Sequence, residues 1–575
     1  MLYYTLTLKK QMDNIREFET LKDLFNYSID KYKDNKAFAY IDGLNYTYKE
    51  FGEQTNKLNN TLLSSGVGDN EKVAILGQNM PNWPVAYFAA VAFNRIAVPV
   101  LPDFSEAEIE NVLEHSESTA LLISSRLTSK ISAERISKLK VVINLDTLEV
   151  IQSQSFASVE NTNPPVREEL AAIIYTSGTT GNSKGVMLSH RNLCTHLYAA
   201  YKLRPSFEWD VWLSVLPLSH TMENSLSMML PMMSGASVYY MEKAPTPSLL
   251  VQALAKVRPT TMLSVPLIIE KIYKNSVLPK FTSSGLMRSI YGTSAGRKLL
   301  HKVAGKKLMK TFGGRIRFFG IGGAKLDGTV ERFLLEGKFP YAIGYGLTES
   351  APLLAGAVGK WVKWQSTGPA IHGVTLRIDN PNPENGEGEI VAKGPNIMMG
   401  YYKNPEATEQ VFTEDGYFRT KDLGIVDKKG RLYIKGRLNN MILGPSGENI
   451  YPEEIESVIN AHPMVSESIV TSYKGKLVAL VHFNPDKIKA LQDIKEEAIA
   501  MYYEKKDILI NSYEETKDEA TKIFNEKMEH LKKEVSEYVN SRVNKFSRIA
   551  LIKDTPQQFE KTATQKIKRY LYIKK

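Results

Sequence analysis

Two hydrophobic periods alternate along the first part of the chain, and this alternation limits the fold more than any other feature. "TYKEFGEQTNKLNNTLLSSGV" spaces its apolar residues for a helix and ends at Gly66, and "KVAILGQN" then reads as a short buried strand. "NWPVAYFAAVAFNRI" reads as a helix, "AVPVLP" as a strand, "SEAEIENVLEHS" as a helix, and "ALLISS" and "VVINLD" as further strands. Strands separated by helices pair in parallel through crossovers, so an α/β fold is expected. After about Thr367 the texture changes to short strands broken by Asn, Pro and Gly ("GVTLRIDNPNPENGEGEIVAKGPNIMMGYY"), the pattern of an antiparallel module. A boundary is expected at the polar joint Gly436 to Asn440. Beyond it, "YPEEIESVINAHP" reads as a capped amphipathic helix, and "SESIVTSY" and "LVALVHF" as strands. The charged stretch Lys487 to Ser547 reads as a solvated helical hairpin. A chain of 575 residues exceeds one compact core. The expectation is a multidomain α/β protein. Residues 1–436 form a large N-terminal domain of mixed parallel sheets and helices plus a β-rich module, and 437–575 a small α+β domain with a helical insertion.

The chemistry starts at "YTSGTTGNSKG", directly after the buried strand "LAAIIY". Gly178, Gly181 and Gly185 rule out a helix or strand interior. A loop this poor in large side chains exposes backbone N–H groups, to which Thr176, Ser177, Thr179 and Thr180 add hydroxyls. That suits a phosphate chain. The spacing is not G-x-x-x-x-G-K-[ST], since Ser183 and Lys184-Gly185 break it. A flexible linker is the alternative, but the following "VMLSHRNL" starts like a helix. Two further loops are suggestive. "FFGIGGAKLD" places Gly320, Gly322 and Gly323 after an apolar run, with Lys325 where a dinucleotide motif needs Gly. "YAIGYGLTES" places Tyr345, Thr348 and Glu349 just past a strand, where a ring, a hydroxyl and a carboxylate serve a base, a phosphate and Mg²⁺.

Charge and cysteine content narrow the classes. The single cysteine, Cys194, excludes a disulfide framework or a cysteine metal cluster and fits a reducing compartment. The N-terminus lacks the order of a signal peptide. The most apolar windows are broken by Asn94-Arg95, Pro231 and Gly235, so no membrane span is expected. The formal charge is +10, and residues 540–575 carry a net +8 of it. A basic tail can meet nucleic acid, an anionic membrane or a phosphorylated small molecule. Without zinc-finger spacing or an RNP-type aromatic motif, nucleic acid ranks last. The expectation is a soluble, cytoplasmic protein whose basic C-terminus touches anionic membranes peripherally.

Taken in order, the motifs resemble those of the adenylate-forming acyl-CoA synthetases, which share a fold with luciferases and peptide-synthetase adenylation domains. "YTSGTTGNSKGVMLSH" is similar to the family's phosphate loop and "GYGLTES" to its adenine motif. "GYFRTKDLG" is similar to the segment G-Y/W-x-x-T-G-D, "YIKGRLNNMILGPSGENIYPEEIE" to the hinge and following loop, and "EKTATQKIKRYLY" to the C-terminal lysine motif. The resemblance runs from about "NYTYKEF" to the C-terminus.

It implies ATP, Mg²⁺ and CoA as cofactor and co-substrates. Thr176, Ser177, Gly178, Thr179, Thr180 and Lys184 would hold the β- and γ-phosphates. Gly322, Gly323 and Ala324 would flank the adenine opposite Tyr345. Thr348 would touch the α-phosphate, and Thr176 and Glu349 are the implied Mg²⁺ residues. Asp422, with Arg437 nearby, would accept hydrogen bonds from the ribose. Lys566 would bridge the carboxylate and the α-phosphate, offsetting the repulsion of two approaching anions. The C-terminal domain is implied to swing between a pose that delivers Lys566 and one that brings the "GPSGENIYP" loop toward the CoA thiol.

The sequence departs from the family at Lys421, where Gly is usual before the ribose Asp, at Asn439 in the hinge, and at Gln565 before the lysine. The last departure resembles long-chain members. So do "LPLSHTMEN", "SVPLIIEKIY" and "GPNIMMGYYKNPEAT", with His220 as a residue near the acyl pocket or simply at a helix start. "SMMLPMM" would suit an adaptable apolar tunnel or ordinary core packing. The resemblance therefore implies a long-chain fatty acid–CoA ligase forming AMP. The alternatives are an acyl-carrier-protein ligase with the same first step and a non-catalytic acyl or nucleotide sensor.

Overall fold

The computed structural model describes residues 16–160, 163–176, 183–243, 245–443, 449–473, 475–489, 512–561 and 567–573. The chain divides into two units, the first comprising 1–420 with 424–434 and the second 421–423 with 435–575.

The first unit is built on two eight-stranded sheets. In one, Lys72–Leu76 pairs in parallel with Ile96–Val100 and Ser118–Ile123, which continues to Val141–Asn144. Ile96–Val100 leads to Leu170–Thr176, also in parallel. In the other, Val211–Ser214, Ser237–Tyr240, Thr261–Ser264, Phe318–Ile321 and Tyr341–Gly346 form a parallel run, closed at one edge by antiparallel Leu353–Ala357. The parallel strands are apolar because helices cover them. The helix Asn82–Val91 is buried on every side, which explains why its sequence is apolar all round.

The Asn94-Arg95 break in that apolar window is real but buried. Asn94 takes the left-handed conformation. The Arg95 guanidinium donates to the carbonyls of Val67 and Ala89 and to Asn59 Oδ1. Burial lowers its pKa to about 10 against the pull of Asp69 and Glu71.

One local reading is corrected. "VMLSH" does not open a helix: Lys184–Ser189 is a strand running antiparallel to Leu170–Thr176. Val186, Leu188 and Ser189 are buried, and the run is too short and too buried to show its period. The helix starts at His190, where Ser189 accepts from the Asn192 N–H and Asn192 reaches back to the Ser189 N–H. The Gly/Ser/Thr loop therefore joins the two strands of a hairpin. A four-stranded sheet in the order Thr375–Asp379, Gly388–Lys393, Phe418–Val426, Leu432–Arg437 follows.

The second unit holds a three-stranded sheet in which Val465–Tyr473 and Lys476–Phe483 pair antiparallel and Leu551–Asp554 joins in parallel. The helix Pro452–Asn460 starts on its proline, and no side chain caps it, so the expected cap is absent. The helix Ser512–Asn540 is not a solvated hairpin arm. Met528, Leu531, Val535 and Val539 are buried together with Ile455, Ile459 and Ile552. Their 3-4-4 spacing is a narrow apolar stripe that the surrounding Glu and Lys mask in the composition. Residues 490–511 of that stretch lie outside the described residues. Among the described residues no helix is long and apolar enough to cross a membrane.

Arg569, in the basic C-terminal stretch, is ion-paired with Glu456 inside the second unit. Glu456 also accepts from the Val470 N–H at 2.6 Å. Burial pushes its carboxyl up to about 7 even against the guanidinium. Removing one partner of such a pair leaves a buried charge and destabilises by about 3–5 kcal/mol. Arg569→Ala should therefore lower the unfolding free energy from denaturant titration at pH 8 by that amount, with a lower midpoint, and adding Glu456→Gln should recover most of the loss. Equal midpoints for wild type and Arg569→Ala would contradict the pairing.

Candidate active site

In the first unit the hairpin around the Gly/Ser/Thr loop brings Thr176 and Lys184 opposite each other, and the Thr176 hydroxyl donates to the Lys184 carbonyl at 3.5 Å. Ser177, Gly178, Thr179 and Thr180 lie outside the described residues. The Lys184 ammonium sits over the Tyr401 ring, 4.8 Å from its centroid. The Tyr401 hydroxyl donates to Glu349 Oε1 at 2.9 Å. Burial, then the Glu349 charge, push the Tyr401 pKa far above its ordinary value, so the phenol keeps its proton and remains a donor. A cation, a ring and a carboxylate thus form a chain from the end of the Gly/Ser/Thr loop to the turn Thr348–Ser350. Tyr401 lies in "MMGYYKNPEAT", which sequence reasoning used only as a mark of substrate class. The available signal was a tyrosine directly after a glycine at a strand edge.

The segment carrying Tyr401 is held on three sides. Gly400 and Tyr401 pair with Met187 and Val186. The Met398 N–H donates to the Glu349 carbonyl at 2.8 Å. The Asn192 side-chain amide donates to the carbonyls of Pro395 and Ile397, and that of Asn396 to the carbonyls of Ser350 and Leu353. Gly346 is required at the approach to Thr348, because a Cβ there would lie 1.8 Å from the Pro352 carbonyl oxygen.

The second Gly-rich turn leaves Gly323 and Ala324 exposed and buries Gly322. A Cβ on Gly322 would meet Met222 Sδ at 2.8 Å and the Gly344 carbonyl at 3.6 Å. The turn, the "SHTMEN" segment and the strand before Thr348 are therefore neighbours. Tyr345 is 7% exposed and packs with Leu354, Ala355, Ile390, Ala392 and Leu432, so most of its ring already meets protein. His220 caps the short helix Thr221–Glu223, its Nδ1 accepting from the Met222 N–H, which matches the helix-start alternative. The methionines Met228, Met229, Met232 and Met233 are core residues.

A residue missed in "LPLSHTMEN" is Glu223. It is fully buried at the start of the π-helical turn Asn224–Met229. It accepts from the Val215 N–H at 3.2 Å, and desolvation raises its pKa to about 7. A lone acid inside an apolar run was the signal for it.

In the second unit, Asp422 is buried and Arg437 Nε approaches its Oδ1 at 3.2 Å. Lys421, where the resembling family has Gly, takes φ +59°. Lys421 thus takes the left-handed conformation inside the strand Phe418–Val426 without being glycine, against a preference of about 1–2 kcal/mol. Lys566 lies outside the described residues, but the chain is pinned on both sides of 562–566. Lys561 pairs with Ile567 in a β-bridge and ion-pairs with Glu467 at 2.6 Å, and Arg569 is held by Glu456.

Among the described residues no group of three or more His, Cys, Asp or Glu can hold a metal. Glu349, with one oxygen taken by Tyr401, supplies one carboxylate, and Thr176 one hydroxyl. That set fits Mg²⁺, which keeps several waters and is commonly bound through one or two carboxylates plus substrate phosphates.

Residues 25–402 match the family model described as AMP-binding enzyme. Over 498 residues the chain is 30% identical to long-chain-fatty-acid–CoA ligase heimdall of Drosophila melanogaster, covering 77% of this chain and 72% of that protein. Over 546 residues it is 28% identical to the chloroplastic long-chain-fatty-acid–[acyl-carrier-protein] ligase AEE15 of Arabidopsis thaliana, covering 76% and 73%. The structure is similar to O-succinylbenzoate coenzyme A synthetase from Bacillus subtilis in complex with ATP and magnesium ion. The TM-score is 0.71 at 22% identity, over 95% of this chain and 98% of that one.

Glu223 gives a pH prediction. Its carboxyl titrates near 4.5 when exposed and near 7 in the fold. The folded state therefore binds the extra proton, and the stability this confers below pH 4.5 is lost as pH rises through about 7. Glu223→Gln keeps the acceptor and removes the charge. Relative to wild type its melting temperature should rise progressively between pH 5 and pH 8. A difference independent of pH would show that Glu223 does not titrate in that window.

Proposed function

The chain belongs to the AMP-binding enzyme family, and on that premise we propose that it joins long-chain fatty acids to CoA in an AMP-forming reaction. A carboxylate oxygen attacks the α-phosphorus of ATP, forming acyl-AMP and releasing pyrophosphate. The CoA thiolate then attacks the acyl carbon, the thioester forms, AMP leaves with the carboxylate oxygen, and the thiol proton passes to solvent. The observation that carries this reading is the chain Lys184–Tyr401–Glu349. It sets a cation and an anchored carboxylate beside the loop best suited to a triphosphate.

In this reading Thr176, Ser177, Gly178, Thr179, Thr180 and Lys184 hold the β- and γ-phosphates, and Thr348 contacts the α-phosphate. Glu349 and Thr176 hold Mg²⁺, which when bound neutralises part of the triphosphate charge. Tyr401 fixes the direction of the Glu349 carboxylate. Gly322, Gly323 and Ala324 border the adenine. The small exposed part of Tyr345 meets its other face, and Asp422 with Arg437 binds the ribose. His220 shapes the acyl entrance through the turn it caps. Residues 437–575 act as a mobile domain that brings Lys566 to the two anions and then withdraws it. The contacts of Lys561 and Arg569 support this role, because they fix the chain on either side of 562–566 within the second unit. Transfer of the acyl group to a carrier-protein thiol is a second reading, favoured by the similarity to a carrier-protein ligase.

Pyrophosphate release across carboxylic acids, with and without CoA, tests the reaction. It should require ATP and Mg²⁺ and climb with chain length, since each buried CH₂ adds about 0.8 kcal/mol until the site is full. Lys566→Ala should lose pyrophosphate release by orders of magnitude, each 1.36 kcal/mol being about tenfold. Given preformed acyl-AMP and CoA, it should still make thioester near the wild-type rate. Preference for acetate over palmitate would reject the substrate class, and equal loss of both half-reactions would reject the role of Lys566.

A further inference from the structure

The net charge of the chain hides a block that its C-terminal tail does not explain. From Lys271 to Leu326 there are 13 Lys or Arg residues and no Asp or Glu. The block includes the helices Gly285–Gly292 and Ser294–Thr311 of the first unit. Lys298, Lys302, Lys306, Lys307 and Lys310 are all exposed on the second helix, and among the described residues no carboxylate pairs with any of them. Between them on the same face stand Leu299 and Val303, each 62% exposed, and the neighbouring helix adds Leu286 at 72%.

The opposite face is fixed. Arg297 and His301 both bind Glu336, and Gly305 lies so close to Gly337 that a Cβ would sit 2.3 Å from its carbonyl oxygen. The outer face is therefore held rigidly outward. The tail is less available than its charge suggests, because Lys561 and Arg569 are spent on Glu467 and Glu456.

From this arrangement we infer that the outer face of these two helices is a docking surface for an anionic lipid bilayer. Cations around exposed aliphatic side chains on one helical face match the headgroup and acyl layers of a membrane interface. A nucleic-acid surface instead interleaves its cations with aromatic platforms or hydrogen-bonding side chains. The surface is read from charge and exposure alone. The proposed function enters only in giving it a purpose, because a long-chain fatty acid is concentrated in membranes.

The test is sedimentation of the full chain with phosphatidylcholine vesicles, with and without about one-third phosphatidylglycerol, at low and high salt. Wild type should bind only the anionic vesicles and release as salt rises. Binding should fall roughly fivefold for each lysine removed, so Lys302→Gln/Lys306→Gln/Lys310→Gln should lose on the order of 100-fold. Leu299→Ser/Val303→Ser should weaken binding while leaving its salt dependence. Both variants should keep wild-type melting temperatures and wild-type pyrophosphate release with detergent-dispersed acid, so a failed surface is separated from a failed catalyst. Unchanged vesicle binding by the triple variant would overturn the inference. So would loss of binding only on Lys545→Gln/Arg548→Gln in the tail, or binding to RNA with none to anionic vesicles.

Discussion

Two asparagine side chains hold together the charged part of the candidate site in the first unit. Asn192 and Asn396 each donate two hydrogen bonds to backbone carbonyls. Between them they tie the segment around 394–402 to the helix that starts at His190 and to the turn after Thr348. Buried carbonyls without donors are costly, so these bonds fix one path for the chain. That path puts Tyr401 between Lys184 and Glu349. The carboxylate is then aimed by a phenol that stays protonated, and the lysine rests on the same ring. Positioning of this kind matters most where charge accumulates, because a preorganised dipole needs no rearrangement as the reaction proceeds.

The fold was legible where a period was long and one-sided. Tyr48–Ser64 and Glu106–Ser116 follow their helical spacing and capping boxes, and the parallel strands follow their short apolar runs. Legibility failed where tertiary pairing decided the outcome. Lys184–Ser189 is a strand because Leu170–Thr176 lies beside it, and six residues after a glycine-rich loop carry no period of their own. The Ser512–Asn540 helix conceals its stripe among charges. In the first unit the candidate site was legible as motifs through Lys184 and Glu349. Tyr401, Asn192 and Asn396 were not, because what they do depends on contacts between segments up to about 200 residues apart.

The charged groups show the same limit of composition. Net charge placed the cationic excess in the tail, yet Glu456 and Glu467 consume part of it inside the second unit. The acid-free block from Lys271 to Leu326 was cancelled in the total by acids elsewhere. Buried carboxyls add a further layer. Glu223, Glu270 and Glu456 are each pushed up to about 7 by desolvation, so near neutral pH the fold retains acids that an unfolded chain would ionise. Such groups are destabilising as pH rises, and they persist where the hydrogen bonds they accept organise a turn. Glu223 does this for the Val215 amide beside "SHTMEN", and Glu270 for the Asp327 amide after the Gly-rich turn.

The central claim is that the fatty carboxylate itself attacks the α-phosphorus of ATP, and oxygen tracing tests it most directly. Palmitate labelled with ¹⁸O in both carboxylate oxygens, turned over with ATP, Mg²⁺ and CoA, should deliver one labelled oxygen to each AMP and leave the pyrophosphate unlabelled. Label in inorganic phosphate, or AMP free of label, would contradict the account.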